Sequence, residues 1–240
     1  SEQTAAQNSP GMAQAGRSGA CNEKLSFLAK TKQESDHVAA TLNTKRVPVV
    51  AKQGCEASED HFKAVCNKVK SLSLIHLPTH GKFCRPPVSN DGVTRGSDIV
   101  ANPLMYSSLA LAGYNRKAAG LPMPQHLEDG ELSAYEVSHL LLPETRLVVL
   151  SACVSGLGET QSTEGVFGLQ RAFRLAGAHH VLVSLWEVDD EATTQLMQYF
   201  YDNWLNNKMD ARQALRAAQL KMQQSKAYDH PYYWAGFVFI

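Results

Sequence analysis

The chain has 240 residues, 44% of them hydrophobic, and its 23 basic and 23 acidic side chains cancel. That length suits one core-bearing α/β domain, and the charge balance gives no ground for binding nucleic acid or an anionic membrane. No apolar run reaches the ~18–20 residues of a membrane span, and no signal-peptide pattern opens the chain. The five cysteines, at 21, 55, 66, 84 and 153, are odd in number and include no C-x-x-C pair, which favours a reducing cytoplasmic setting where thiols stay free.

In chain order, residues 1–23 are rich in Ser, Gln, Gly and Ala; such a stretch buries too little surface to offset its ordering entropy and reads as a flexible tail or linker. Thr31-Lys32-Gln33-Glu34 reads as a capping box ahead of Val38, Ala39 and Leu42, a helix of about three turns. Val47 to Ala51 reads as a short strand. Phe62, Val65, Cys66 and Val69 follow a helical stripe, on which Cys66 is a small buried hydrophobe. Between 82 and 132, Pro86-Pro87, Asn90-Asp91-Gly92 and Asp129-Gly130 mark turns, and Leu104 to Ala112 stays open between strand and helix.

Ser133 to Glu136 is a second capping box. Residues 154–163 read as a mobile loop, followed by a helix on Val166, Leu169 and Phe173 that Gly177 stops. His180 to Leu185 is a buried strand, and helices follow on Leu196, Phe200 and Trp204 and, after Asp210, on Ala214, Leu215, Ala218 and Met222. Tyr232 to Ile240 reads as a terminal strand. Strands alternating with helices predict a three-layer α/β/α domain with a mostly parallel central sheet.

Two stretches organise the chemistry. Leu147-Val148-Val149-Leu150 is a continuous apolar run that ends in Ser151-Ala152-Cys153, as a strand buried on both faces would. Leu72 to Leu77 repeats the design and delivers His80 and Gly81. Open parallel sheets place their chemistry beyond the carboxyl ends of the strands, so Cys153 and His80 suggest a thiol nucleophile and its proton partner. The bland readings are a buried cysteine and a histidine capping a turn. His76, His80 and Cys84 are spaced by four, but Pro78 and Gly81 interrupt any helix that would make them a zinc face. His76 reads instead as a core histidine, and no metal or cofactor is expected. No G-x-G-x-x-G or P-loop follows a strand, which argues against a nucleotide-binding domain.

The set His76-Leu-Pro-Thr-His80-Gly81, Asn102-Pro103-Leu104, Leu147 to Cys153, Glu164-Gly165-Val166, Arg171-Ala172-Phe173, Ser184-Leu185-Trp186 with Asp189-Asp190, and His230 to Trp234 resembles the CHAT family. These are caspase-like peptidase domains, related in fold to caspases and separase and often found beside TPR repeats in bacteria. The resemblance covers residues 24–240. It implies a cysteine endopeptidase with Cys153 as nucleophile, His80 as general acid and base, and the backbone N–H groups of Gly81 and Cys153 as oxyanion hole. It also implies a protein or peptide substrate, a TPR-type or other sensor region as partner, and a regulated effector role in bacterial defence or cell death. Two departures stand out: Pro78 replaces the family's usual Ala, and Ser151 to Gly156 does not match the caspase signature.

Ser151, two residues before the nucleophile, Trp186 and Asp190 are the candidate substrate-binding residues. Their alternatives are a core tryptophan and an aspartate, Asp189 or Asp190, that caps the following helix. The acidic residues nearby favour an uncharged or basic P1 side chain. Residues 154–163 sit where caspases carry an activation linker. A catalytically silent caspase-like scaffold or interaction module is the competing reading.

Overall fold

The structure, a computed structural model, describes residues 23–84, 103–125, 127–151, 154–155 and 159–240, with backbone alone at 154–155 and 159–165. Apart from Glu23, the predicted tail lies outside the described residues. Helix α1, Thr31–Thr44, starts on Thr31 itself, and the expected capping box does not form. The Thr31 hydroxyl donates to the Leu28 carbonyl, and Glu34 is buried with tertiary partners. Residues 47–51 are irregular rather than a strand. Val47 and Val50 are exposed, so no core holds this segment, and Pro48 between them lacks a ladder donor.

Helix α2, Glu59–Lys68, is capped by the Ser58 hydroxyl, which accepts from the His61 N–H. Strand β1, Leu74–His76, gives way after three residues to β2, His80–Phe83. The open segment 104–112 holds the end of a 3-10 turn and then β3, Ser107–Ala110. Helix α3, Tyr114–Ala118, and β4, Glu131–Ser133, lead into α4, Ala134–Val137, where the predicted capping box of Ser133 and Glu136 is complete. Strand β5 is Leu147–Leu150.

Strand β6, Val154–Ser155, and the first residues of α5, Glu159–Leu175, occupy most of what reads as a loop. The partner that makes 154–155 a strand is β2, 73 residues upstream, which no local signal discloses. Gly177 follows α5 with φ +109°, as a C′ glycine does. Strand β7, Val181–Ser184, precedes α6, Asp190–Tyr201, which runs on as a π-helical stretch over Asp202–Asn206. Helix α7, Ala211–Gln223, is capped by Asp210. The terminal strand β8 is only Phe237–Phe239, because Pro231–Tyr233 forms a 3-10 turn before it.

The central sheet has the order β1-β5-β7-β8, with β1, β5 and β7 parallel and β8 antiparallel at the edge. Successive residues of β5 face opposite cores. Leu147 and Val149 join α1, α6 and α7, whereas Val148 and Leu150 join α4 and α5. This accounts for the unbroken apolar run, and the mixed α/β architecture with a mostly parallel sheet is the one expected. A fully buried Leu such as Leu150 contributes roughly 1.5–3 kcal/mol. A second sheet, β4-β3-β2-β6, buries Phe83, Leu109 and Leu132 against α5's side of the molecule. Among the described residues, no helix is long and apolar enough to cross a membrane.

Candidate active site

The chain passes from the first sheet to the second twice, and the strands flanking the two passages are paired. Strand β1 continues through Leu77-Pro78-Thr79 into β2, and β5 continues through residues 151–153 into β6. In both parallel pairs the partner of a residue lies 73 positions further on: Ile75 opposite Val148, and Gly81 opposite Val154. Cys153 and Ala152 lie outside the described residues; Ser151 and Val154, on either side of them, are described.

His80 is the first residue of β2, opposite Ala110 of β3, and the Thr79 hydroxyl donates to the Ala110 carbonyl beside it. The half-buried imidazole points its Nε2 at the carbonyl oxygen of Ser26, 2.8 Å away. A carbonyl only accepts, so Nε2 carries the proton in this state. Gly81 is buried between Leu109 on one side and Val154 on the other.

Ser151 is buried and donates its hydroxyl to Glu34 Oε1 at 2.6 Å. Glu34 comes from the first turn of α1, and His76 Nε2 lies 3.0 Å from the same carboxylate oxygen, out of hydrogen-bond alignment. The Tyr201 hydroxyl is 3.0 Å from His76 Nδ1. Burial, reinforced by the charge of Glu34, pushes the Tyr201 phenol well above its ordinary pKa. A neutral phenol donating to Nδ1 leaves Nε2 protonated and facing Glu34. His76 is thus the core histidine expected, with Nδ1 bonded to Tyr201 and Nε2 facing the Glu34 carboxylate. Glu34 is the residue that sequence reading misassigned, since its spacing from Thr31 imitates a cap.

Trp186 is half-buried, donates its indole N–H to the Tyr232 carbonyl at 2.9 Å, and packs against the core under α7. Asp189, not Asp190, caps α6 by accepting from the Glu191 and Ala192 N–H groups. Asp190 Oδ2 instead accepts from the Lys30 backbone N–H at 2.9 Å. The structure therefore brings Ser151 to Glu34, His80 to Ser26 and Asp190 to Lys30.

The thiols differ from the expectation at one place. Cys55 and Cys66 are free, whereas Cys84 is disulfide-bonded. Burial pushes the Cys66 thiol up to about 12, so it is chemically quiet. His76, His80 and Cys84 share no helix, as expected. The Glu59, Glu128 and Glu136 carboxylates converge within 4.8 Å, but the cation at their centre is Lys63.

Comparison with known proteins agrees with this architecture. The family model for the CHAT domain matches residues 1–240. Tetratricopeptide repeat protein 28 of Homo sapiens is 41% identical over 114 residues, which is 48% of this chain and 4% of that protein. Its Mus musculus counterpart is 39% identical over 109 residues, 45% of this chain and 4% of that one. The matched part is thus a small fraction of each relative's length. With the family model spanning every residue over an α/β fold of the caspase-like kind, the chain belongs to the CHAT domain family.

Proposed function

We propose that the chain is a cysteine endopeptidase in which Cys153 and His80 act as a dyad on a protein substrate. The supporting observation is the shared register of the two parallel pairs. The offset that pairs Ile75 with Val148 and Gly81 with Val154 is the offset between His80 and Cys153, and paired positions in neighbouring strands present their side chains to the same face.

In this reading the Cys153 thiolate attacks a peptide carbonyl and the C–N bond breaks to leave a thioester. His80 gives a proton to the departing amine, then takes one from the water that releases the acid; such help is worth ~10²–10⁴-fold. The peptide N–H groups of Gly81 and Cys153 receive the oxyanion, at about 3 kcal/mol for one donor. Ser151, Trp186 and Asp190 line the substrate side, Ser151 through its tie to Glu34. The chain would work beside a TPR region, as the names of its relatives suggest. A cytoplasmic effector role in bacterial defence rests on the family resemblance alone, and both relatives are mammalian proteins.

The test is cleavage of an unfolded protein substrate under reducing conditions, chosen because Cys84 is disulfide-bonded. Cys153→Ala and His80→Ala each abolish cleavage while the melting transition persists. Undiminished cleavage by Cys153→Ala overturns the assignment. A second reading, a silent scaffold, draws on the His80 ring nitrogen being held by Ser26 rather than free for chemistry. It predicts no cleavage by the parent chain.

A further inference from the structure

The residues before α1 cross the His80 rim, and their hydrogen bonds to it are made almost wholly through their backbone. The Tyr114 hydroxyl donates to the Glu23 carbonyl at 3.2 Å. Asn115 holds both polar groups of Leu25: its Oδ1 accepts from the Leu25 N–H at 2.8 Å, and its Nδ2 donates to the Leu25 carbonyl at 2.9 Å. His80 donates to the next carbonyl, that of Ser26. At the far end, Asp190 accepts from the Lys30 N–H. Leu25 and Leu28 are half-buried, while Phe27 is 88% exposed.

An amide that takes the N–H and the C=O of one residue pairs with an extended chain as a neighbouring strand would, whatever that residue's side chain. Adjacent peptide units of the same segment reach Asn115 and His80, so an occupant of this track has its backbone set against the candidate acid–base group. Lys82, two residues along β2 from His80, lies over the Tyr114 ring at 4.1 Å. That contact fixes Tyr114 and the start of α3, and with them Asn115, relative to β2.

We propose that this rim is a binding track for an extended polypeptide, with Asn115 as its backbone clamp, and that residues 23–30 fill it as a tethered surrogate. Calling the ligand a substrate rests on the peptidase reading; the track itself does not. An incoming chain must displace residues 23–30, so its apparent affinity is reduced by the fraction of molecules in which the track is open.

The test measures binding of a fluorescent peptide with the sequence of residues 23–30 to full chains carrying Cys153→Ala, so that binding is read without cleavage. Leu25→Pro removes the N–H that Asn115 accepts and loosens the tethered segment without altering the track. It should raise peptide affinity by about tenfold or more. Adding Asn115→Asp, which keeps the shape but loses the Nδ2 donor, should reverse the gain by about tenfold, with the melting temperature confirming the fold. Equal affinities for the parent and Leu25→Pro chains, or no effect of Asn115→Asp, overturn the proposal. If peptide binding follows these expectations and the Leu25→Pro chain with Cys153 intact cleaves nothing, the peptidase reading fails and the track stands.

Discussion

Glu34 and Ser151 meet at 2.6 Å across 117 residues of chain, and through that contact the first helix is tied to the end of strand β5. Ser151 precedes Cys153, the proposed nucleophile, by two residues. Glu34→Ala leaves the Ser151 hydroxyl and the His76 ring without their carboxylate partner in a buried site, at a cost of about 1–3 kcal/mol. Glu34→Gln keeps an acceptor for Ser151 and should lose less. Urea unfolding of the three chains measures the order; a Glu34→Ala chain as stable as the parent would remove this tie from the account.

The indole of Trp186 offers a test by crowding. A Cβ built on Gly236 lies 2.8 Å from Trp186 Cε2, closer than real side chains approach. Gly236→Ala must therefore push the ring aside and strain its bond to the Tyr232 carbonyl. Overpacking of this kind costs about 1–3 kcal/mol, at roughly 2–4 °C of melting temperature per kcal/mol for a chain of this size. An unchanged melting temperature would mean that the indole yields freely. If Trp186 borders the substrate, the same variant should also weaken peptide cleavage at temperatures where it remains folded.

What the sequence discloses about this fold follows from how local each signal is. The apolar run of β5 and the stripes of α2 and α7 are visible because both sheet faces or one helix face are buried. The Ser133–Glu136 cap is visible because both partners lie within one turn. Its counterpart at Thr31 has the same letters and fails, since Glu34 finds Ser151 and His76 in the folded chain. Strand β6 is two residues long and exists only beside β2. Of the candidate site, His80, Gly81, Ser151, Trp186 and Asp190 could be named from spacing and resemblance. Asn115, Tyr114 and Glu34 could not, because what singles them out is a contact with a distant segment.

The acidic cluster around Lys63 sets a pH dependence whose sign can be worked out. Burial, with Glu128 beside it, raises the Glu59 carboxyl from 4.5 to about 8. Burial also opposes ionisation of Glu136, but hydrogen bonds from Lys63 and Ser133 outweigh it and hold that carboxyl at about 2. Between about 4.5 and about 8 the folded chain keeps a proton on Glu59 that the unfolded chain releases, so stability falls as pH rises through that window. Glu136 acts oppositely: its stabilisation is present above its unfolded value and is lost as pH falls toward about 2. Glu59→Gln, which resembles the protonated acid, should flatten the upper slope in thermal melts. If the slope persists in that variant, its source lies elsewhere.

Thiol reactivity separates the cysteines that are structural from any that are chemical. Cys55 is exposed and free, whereas Cys66 is buried on α2 with a thiol pushed up to about 12. Burial disfavours ionisation of the Cys66 thiol, and the thiolate is the reactive form. Native alkylation followed by peptide mass spectrometry should modify Cys55 and spare Cys66 until the chain is unfolded. Labelling of Cys66 in the folded chain would mean that α2 opens locally and that its burial does not protect it. With Cys66 silent and Cys21, Cys55 and Cys84 changed to Ser, the chain offers a low background. Rapid labelling at position 153 after reduction, slowed by His80→Ala, is then the signature of a thiolate held by its histidine.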